Sequence, residues 1–300
     1  MLERISPRFL ALLLGLSGCS PVGAAGHRMV GTDLLGVEFS RALYEFTGRH
    51  GLEVALAFDG SRPGLDELKA GRADLALLVL PAGEESAVPV FQSIPVAYHR
   101  VVVIVPVACP VAHVTFDQLA GIFGISPGRV ERWRELGIGG EWADSLITAL
   151  APEGGVGIAG EYFRHLVLAG RELKPNVIRY TDAAGLAARF SGEMRGVALA
   201  AVMPAAVPEL KVLPVAVQAR GPAFLPTPEN LHSGDYVLGL PLRLVVRREA
   251  LPALLPLVRF LGGDEGAPHF ERAGVVPLPA LRRTQQLLAF EKGESCCAGK

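Results

Sequence analysis

The sequence predicts an α/β protein with room for two domains. Its 300 residues correspond to roughly two domains at about 150 residues each. Hydrophobic residues make up 50% of the chain and charged residues 20%, a balance typical of a globular protein and not of a disordered one. Between residues 30 and 80, strand-like and helix-like segments alternate in the order β-α-β-α-β. This order indicates a mainly parallel sheet with helices on its faces.

The first elements are predicted from hydrophobic spacing. In chain order they are a helix through Phe39, Leu43 and Phe46, a strand at 52–58, a short helix at 65–71, a strand at 73–80 and one long apolar strand at 96–107. Thr115, with Gln118 three residues later, has the pattern of a capping box and predicts the start of the next helix.

The second half of the chain continues the alternation. The predicted elements are a strand at 146–150, a glycine-rich loop at 154–160, a helix at 161–168, a strand at 177–180, a helix at 183–190, strands at 197–202 and 237–246, and helices at 251–261 and 270–273. No internal sequence repeat and no low-complexity linker interrupts them.

The N-terminus has the composition of an export signal. Arg4 and Arg8 precede an apolar segment at 9–16, which is too short to span a bilayer, and small residues lead into Cys19. This segment resembles a bacterial lipoprotein signal, with residues 1–18 as the signal peptide and Cys19 as the acylated residue. The simpler alternatives are a plain secretion signal or a short core helix. The resemblance implies a protein in the cell envelope, held on a membrane by lipid chains.

Composition excludes other partners. The net charge is −1 and the isoelectric point about 6.7, so neither nucleic acid nor a membrane surface is indicated by basic residues. The seven histidines are scattered, and the four cysteines show no metal-ligand spacing. We therefore expect no metal and no cofactor. Without a nucleophile and base at catalytic spacing, we expect no enzyme.

Several segments in a fixed order are typical of one protein family. They are Gly31-Thr32-Asp33, the loop at 60–65 with the following 68–76 segment, residues 111–123, Gly128-Arg129-Val130 with Trp133, and the closing segment at 257–278. Through these segments, which are distributed over nearly the whole mature chain, the protein resembles the periplasmic solute-binding proteins of bacterial uptake transporters, and within them the phosphate-binding branch.

This resemblance implies a type II periplasmic-binding-protein fold with two lobes and a two-strand hinge. Lobe one would hold residues 26–104 and 206–290, lobe two would hold 105–205, and residues 291–300 would form a disordered tail. Closure of the lobes around a small solute is the expected motion. The implied partners are a solute, an anion in the phosphate branch, and a transporter permease. We expect a monomer.

Three glycine-containing loops, at residues 31, 60 and 154, each precede a predicted helix. Helix N-termini present unpaired N–H groups, and glycine lets a ligand approach the backbone. The predicted ligand-binding residues are Thr32, Asp33, Ser61, Arg62, Gly155, Val156, Gly157 and Ile158.

The sequence departs from the phosphate pattern at this site. Pro152 stands where the family has an arginine, Val156 and Ile158 stand where it has hydroxyl side chains, and Leu34 stands for a threonine. Without these hydrogen-bond donors, the binding free energy of a buried phosphate is less favourable by several kcal/mol. We therefore predict weak or absent phosphate binding, with Arg62 as a substitute positive charge.

Two other functions fit parts of the sequence. Residues 155–160 match G-x-G-x-x-G after a strand, the pattern of a dinucleotide-binding loop, which would make the chain an NAD-dependent enzyme. The longer turn before Gly155 and the export signal disfavour that hypothesis. The third hypothesis is a degenerate binding or sensor module that keeps the fold and has lost the solute.

Overall fold

The computed structural model describes residues 26–80, 90–126, 128–153, 158–190, 195–201 and 209–292. The predicted signal peptide, Cys19, Gly155, Val156, Gly157 and residues 293–300 of the predicted tail lie outside this set. Residue 291 itself ends the last helix.

Fourteen strands are present in the described residues. They are β1 His27–Gly31, β2 Val54–Ala57, β3 Leu75–Val79, β4 Phe91–Arg100, β5 Val102–Pro106, β6 Val114–Thr115, β7 Thr148–Pro152, β8 Ile178–Tyr180, β9 Gly196–Ala200, β10 Leu210–Val212, β11 Val215–Ala216, β12 Ala223–Phe224, β13 Gly239–Arg247 and β14 Val276–Pro277.

Nine α-helices alternate with these strands in the same part of the chain. They are α1 Gly36–Arg49, α2 Ser61–Lys69, α3 Phe116–Phe123, α4 Ile158–Leu166, α5 Ala183–Phe190, α6 Pro228–Ser233, α7 Leu251–Gly262, α8 Ala267–Arg272 and α9 Ala280–Glu291.

The first sheet has the order β14-β4-β13-β3-β1-β2. Strands β2, β1 and β3 are parallel, whereas β13 runs antiparallel to both β3 and β4. The two crossover helices lie on opposite faces: Phe39 and Leu43 of α1 pack in one buried cluster with Leu77, and Leu65 and Leu68 of α2 pack in another. The expected α/β architecture is confirmed, but the expected mainly parallel sheet is not: two strand pairings of this sheet are parallel and three are antiparallel, because β13, β4 and β14 join it through antiparallel pairings.

The second sheet has the order β10-β5-β9-β7-β8. Strands β8, β7 and β9 are parallel, and β5 runs antiparallel to β9. The connections β7-α4-β8-α5-β9 repeat the connections β1-α1-β2-α2-β3, and each sheet places its third strand beside an antiparallel neighbour. The two lobes therefore share a topology that no sequence repeat indicates.

The chain crosses between the sheets at Val101. The predicted single strand at 96–107 is wrong: β4 belongs to the first sheet and β5 to the second, with Val101 between them. The return crossing lies within residues 213–238, and its strands β11 and β12 form a short third sheet with β6.

The two crossings are hydrogen-bonded to each other. The Val101 amide donates to the Leu238 carbonyl oxygen at 2.9 Å, and the Leu213 amide donates to the Val103 carbonyl oxygen at 2.8 Å. The Tyr236 hydroxyl donates to the Val101 carbonyl oxygen at 2.6 Å. Burial raises the pKa of Tyr236 well above its usual value, so this phenol remains a donor across the physiological pH range.

These pairings bear on the expected lobe boundaries. Those boundaries assign residues 102–104 and 206–212 to lobe one, but β5 and β10 pair with each other in the second sheet. The discrepancy arises because the sequence of an apolar strand does not indicate which sheet the strand will join. We propose a division at Val101 and within the return crossing.

Several local predictions correspond closely to the structure. Helix α5 spans the predicted residues 183–190. At α3, Thr115 Oγ1 accepts from the Gln118 amide at 3.2 Å, and the Gln118 side chain accepts from the Thr115 amide at 2.9 Å, which confirms the capping box. No helix in the described residues is long and apolar enough to cross a bilayer.

Replacing Tyr236 with Phe is expected to destabilise the protein by about 1 to 3 kcal/mol, because a buried carbonyl loses its hydroxyl donor. Urea unfolding of the purified chain measures this. The control is Tyr44→Phe, since Tyr44 is 56% exposed, and its effect should stay below about 0.5 kcal/mol. Equal losses in the two variants would contradict the assigned role of the Tyr236 hydroxyl.

Candidate functional site

The first sheet changes strand order at β1. Helix α1 leads from β1 to β2 on one side, and α2 leads from β2 back across β1 to β3 on the other. In open α/β sheets, ligands bind in the crevice beyond the carboxyl ends of the strands where the order reverses. In this sheet that crevice lies beyond the ends of β1 and β3.

The carboxyl end of β1 approaches β3 unusually closely at Gly31. A Cβ atom on Gly31 would lie 2.0 Å from the Leu77 carbonyl oxygen, and the residue has φ of 143°. The Thr32 amide donates to that same carbonyl oxygen at 2.8 Å. A Cβ on Gly64 of α2 would lie 2.9 Å from the Gly31 Cα. Glycine at 31 and 64 therefore allows the first turn of α2 to pack directly on the end of β1.

Two predicted residues with hydroxyl groups, Thr32 and Ser61, meet at this edge. They are 2% and 8% exposed. Thr32 Oγ1 accepts from the Leu34 amide at 3.3 Å, and Ser61 Oγ accepts from the Val79 amide at 2.9 Å. Each hydroxyl is therefore oriented by the backbone and retains one proton to donate.

Two predicted charged residues, Asp33 and Arg62, lie in the first turns of the helical segments at the same edge, and both are exposed. Their charges are opposite. Helix α2 has no side-chain cap, and its third residue, Pro63, has no N–H. The helix end thus presents fewer backbone donors to an anion than an ordinary helix N-terminus does.

The second sheet has a corresponding position beyond the carboxyl end of β7. Of the remaining predicted residues only Ile158 is described, at the start of helix α4; the other three are Gly155, Val156 and Gly157. These three residues lie outside the described part of the chain. Of the predicted set, the structure therefore brings together Thr32, Asp33, Ser61 and Arg62 beyond the first sheet.

Sequence reasoning missed one charged residue at the second edge. Glu153 directly follows β7; it is exposed, and its amide donates to the Tyr180 carbonyl oxygen at 2.7 Å. The sequence signal that could have identified Glu153 is its position shortly after a predicted strand. Because β7 corresponds to β1 in the shared topology, Glu153 and Asp33 put an acidic side chain beyond the corresponding strand of each sheet.

Metal binding finds no support in the described residues. Within them, no group of three or more His, Cys, Asp or Glu side chains is placed to hold a metal ion. Cys109 is buried, and burial raises the pKa of its thiol, which disfavours the reactive thiolate.

A family model described as a PBP superfamily domain matches residues 35–264, well over half of the chain. No curated protein sequence shows a significant match. Among solved structures, an ABC-type phosphate transport receptor from Vibrio cholerae is 18% identical, with a TM-score of 0.64 over 84% of this chain and 100% of that one. PstS from Borrelia burgdorferi is 15% identical, with a TM-score of 0.67 over 85% of this chain and 99% of that one.

These similarities confirm the two-lobed type II periplasmic-binding-protein fold and favour neither the dinucleotide-dependent enzyme nor the degenerate module. At such identities the structures establish the fold, and the solute depends on the residues at the site.

Replacing Gly31 with Ala is expected to cost about 2 to 4 kcal/mol, because the new methyl group meets the Leu77 carbonyl in a backbone conformation that favours glycine. The same change at Gly48 in α1, where nothing lies within 4 Å, should instead stabilise the protein by up to about 1 kcal/mol. Thermal or urea unfolding of both variants measures the difference. A neutral Gly31→Ala would contradict the close approach of β1 and β3.

Proposed function

We propose a function from one premise: the chain belongs to the PBP superfamily. The proposed function is that of the substrate-binding component of an ABC-type uptake system, which captures a small solute between its two lobes and delivers it to a permease. One solved structure with the same fold is an ABC-type phosphate transport receptor. We assign no catalytic step to the chain.

One observation carries the proposal. Each sheet reverses its strand order beside its central parallel strand, β1 in one lobe and β7 in the other, so each lobe has a crevice of the kind that binds ligands. In the described part of the chain, two segments pass between the lobes, and hydrogen bonds from Val101 and Leu213 join them. Two crevices on a narrow, hydrogen-bonded hinge are suited to closure around a solute.

The donors at the site argue against phosphate as that solute. In the described part of the site, Thr32 and Ser61 each have one hydroxyl proton to donate, because their oxygens already accept backbone bonds. Pro63 removes a helix N–H, and Pro152 stands where the phosphate branch has an arginine. Val156 and Ile158 stand where that branch has hydroxyl side chains. Each charge-assisted hydrogen bond contributes about 1.5 to 3 kcal/mol, so the loss of the arginine and of these two hydroxyls accounts for a thousandfold loss of affinity or more.

The charges at the two crevices also argue against phosphate. Asp33 and Glu153 are exposed carboxylates beyond β1 and β7, and Arg62 is the one predicted cationic ligand. A desolvated dianion would meet more negative than positive charge here. We therefore propose a neutral or cationic polar solute, oriented by the Thr32 and Ser61 hydroxyls.

The location follows from the N-terminal signal. We propose that cleavage before Cys19 and acylation of this residue anchor the protein on the outer face of a membrane, in the periplasm or the extracellular space. Acyl chains contribute about 0.8 kcal/mol per buried methylene, which holds the binding domain close to its permease. A monomer suffices for this role.

Isothermal titration of the mature chain with inorganic phosphate should give a dissociation constant weaker than about 100 μM, because of the missing donors. A thermal-shift panel of neutral and cationic solutes should yield a ligand that also compacts the protein in small-angle X-ray scattering. Ser61→Ala should weaken that ligand about tenfold, whereas Ser40→Ala on α1 should not change it.

Sub-micromolar phosphate binding would refute the proposed solute class and leave the transport role intact. A panel in which no solute, phosphate included, binds or compacts the protein would refute the transport role itself.

Lipid attachment at Cys19 has its own test. Expression in a Gram-negative host with labelled palmitate should label the protein, and Cys19→Ser should abolish the label, because the thiol is the acceptor. Cys109→Ala is the control and should retain the label, since Cys109 is buried in the folded domain. Labelling that survives Cys19→Ser would exclude the proposed anchor.

A further inference from the structure

A second candidate site lies at the opposite edge of the first sheet. It is a cavity of about 400 Å³ between the end of β4, the start of α6, the turn before β14 and the start of α9. This volume is within the range of small-molecule sites. The switch point of β1 and β3 is separated from this cavity by β13.

Arg100 contributes an unpaired positive charge to this cavity. Its Nη1 donates to the Gly274 carbonyl oxygen at a long 3.4 Å, and its buried Nε has no hydrogen-bond partner in the structure. Among the described residues, no carboxylate lies within 4 Å of its guanidinium. Burial lowers its pKa. Such a group gains strongly from a ligand carboxylate.

Two acidic side chains, Glu229 and Glu271, line the same cavity. Both are exposed, and neither forms an ion pair with a described residue. The cavity thus combines one unpaired positive and two unpaired negative side chains, which favours a ligand with charges of both signs over a simple anion.

Apolar residues make up much of the remaining wall. Val276 and Pro279 line the cavity and are half-buried, so each has surface that a ligand can contact. Arg283, the other lining arginine, is already satisfied: its Nε and Nη2 donate to Asp264 Oδ1, and its Nη1 donates to the Leu278 carbonyl oxygen. Arg283 therefore shapes the wall and leaves Arg100 as the available cation.

We propose that this cavity binds a small aliphatic amino acid as its zwitterion. The ligand carboxylate pairs with Arg100, the ammonium group faces Glu229 and Glu271, and the aliphatic side chain contacts Val276 and Pro279. The site is independent of the solute crevice, so the inference does not rest on the proposed function.

The site also lies at the hinge. Arg100 immediately precedes Val101, where the chain first crosses between the sheets, and α6 lies on the return crossing. A ligand in the cavity therefore contacts both crossings at once.

The test measures the binding of three matched probes to the full mature chain by calorimetry and saturation-transfer NMR. L-Valine carries both charges, 3-methylbutanoate lacks the ammonium group, and isobutylamine lacks the carboxylate. L-Valine should bind at least about tenfold more tightly than either analogue, because each analogue loses one charged contact.

Variants assign the contacts. Arg100→Gln should weaken L-valine and 3-methylbutanoate about tenfold without changing isobutylamine, and Glu271→Gln should weaken L-valine and isobutylamine without weakening 3-methylbutanoate. Arg282→Gln is the matched control, because Arg282 lies on the same helix as Arg283 and does not line the cavity. If Arg100→Gln fails to fold, Arg100→Lys and Glu271→Gln test the same contacts; Glu271 is exposed, so its substitution should not affect folding.

The proposal is overturned if none of the probes binds at about 10 mM, or if Arg100→Gln weakens L-valine no more than Arg282→Gln does. It is also overturned if Ser61→Ala weakens L-valine, because the amino acid would then occupy the solute crevice. Unchanged L-valine binding in Ser61→Ala supports the separate site, whatever solute the crevice takes.

Discussion

The backbone hydrogen bonds at Val101 are the constraint on which the rest of the structure depends. One residue separates the last strand residue of β4 from the first of β5, so this connection between the two sheets is as short as a single residue. Its amide and carbonyl both bond to the return crossing, at Leu238 and Tyr236. Because a buried backbone group without a partner costs about 1 to 3 kcal/mol, these bonds hold the two crossings side by side. The geometry of the Arg100 cavity, which both crossings line, depends on this pairing.

The fold and the ligand chemistry depend on different parts of the sequence. The strand order is maintained by buried aliphatic side chains and by the contact of Gly31 with the Leu77 carbonyl. None of these groups recognises a particular solute. The residues proposed to do so, Thr32 and Ser61, lie at the strand ends and belong to none of the buried hydrophobic clusters. This separation explains how a chain with the fold of phosphate receptors departs from the phosphate pattern at its site.

Charge is arranged differently at the two ends of the first sheet. Thr32 and Ser61 are oriented by backbone amides, so the solute crevice has ordered hydroxyl donors between exposed charges. At the other edge, Arg100 is partly buried without a carboxylate partner among the described residues, in a cavity that also contains Glu229 and Glu271. Unpaired charges in a concave site cost stability unless a ligand compensates them, and they therefore point to binding.

The sequence alone determined what local pattern encodes. The bounds of α5, the Thr115 capping box and the α/β class followed from spacing and short-range hydrogen bonding. Only the tertiary structure decided that the apolar run at 96–107 is two strands in different sheets, that β10 pairs with β5, and that Ser61 is bonded to Val79. It alone brought Arg100 beside residues of α6 and α9. The physical reason is range: capping and periodicity act within one element, whereas strand pairing and cavity formation join residues tens to hundreds of positions apart.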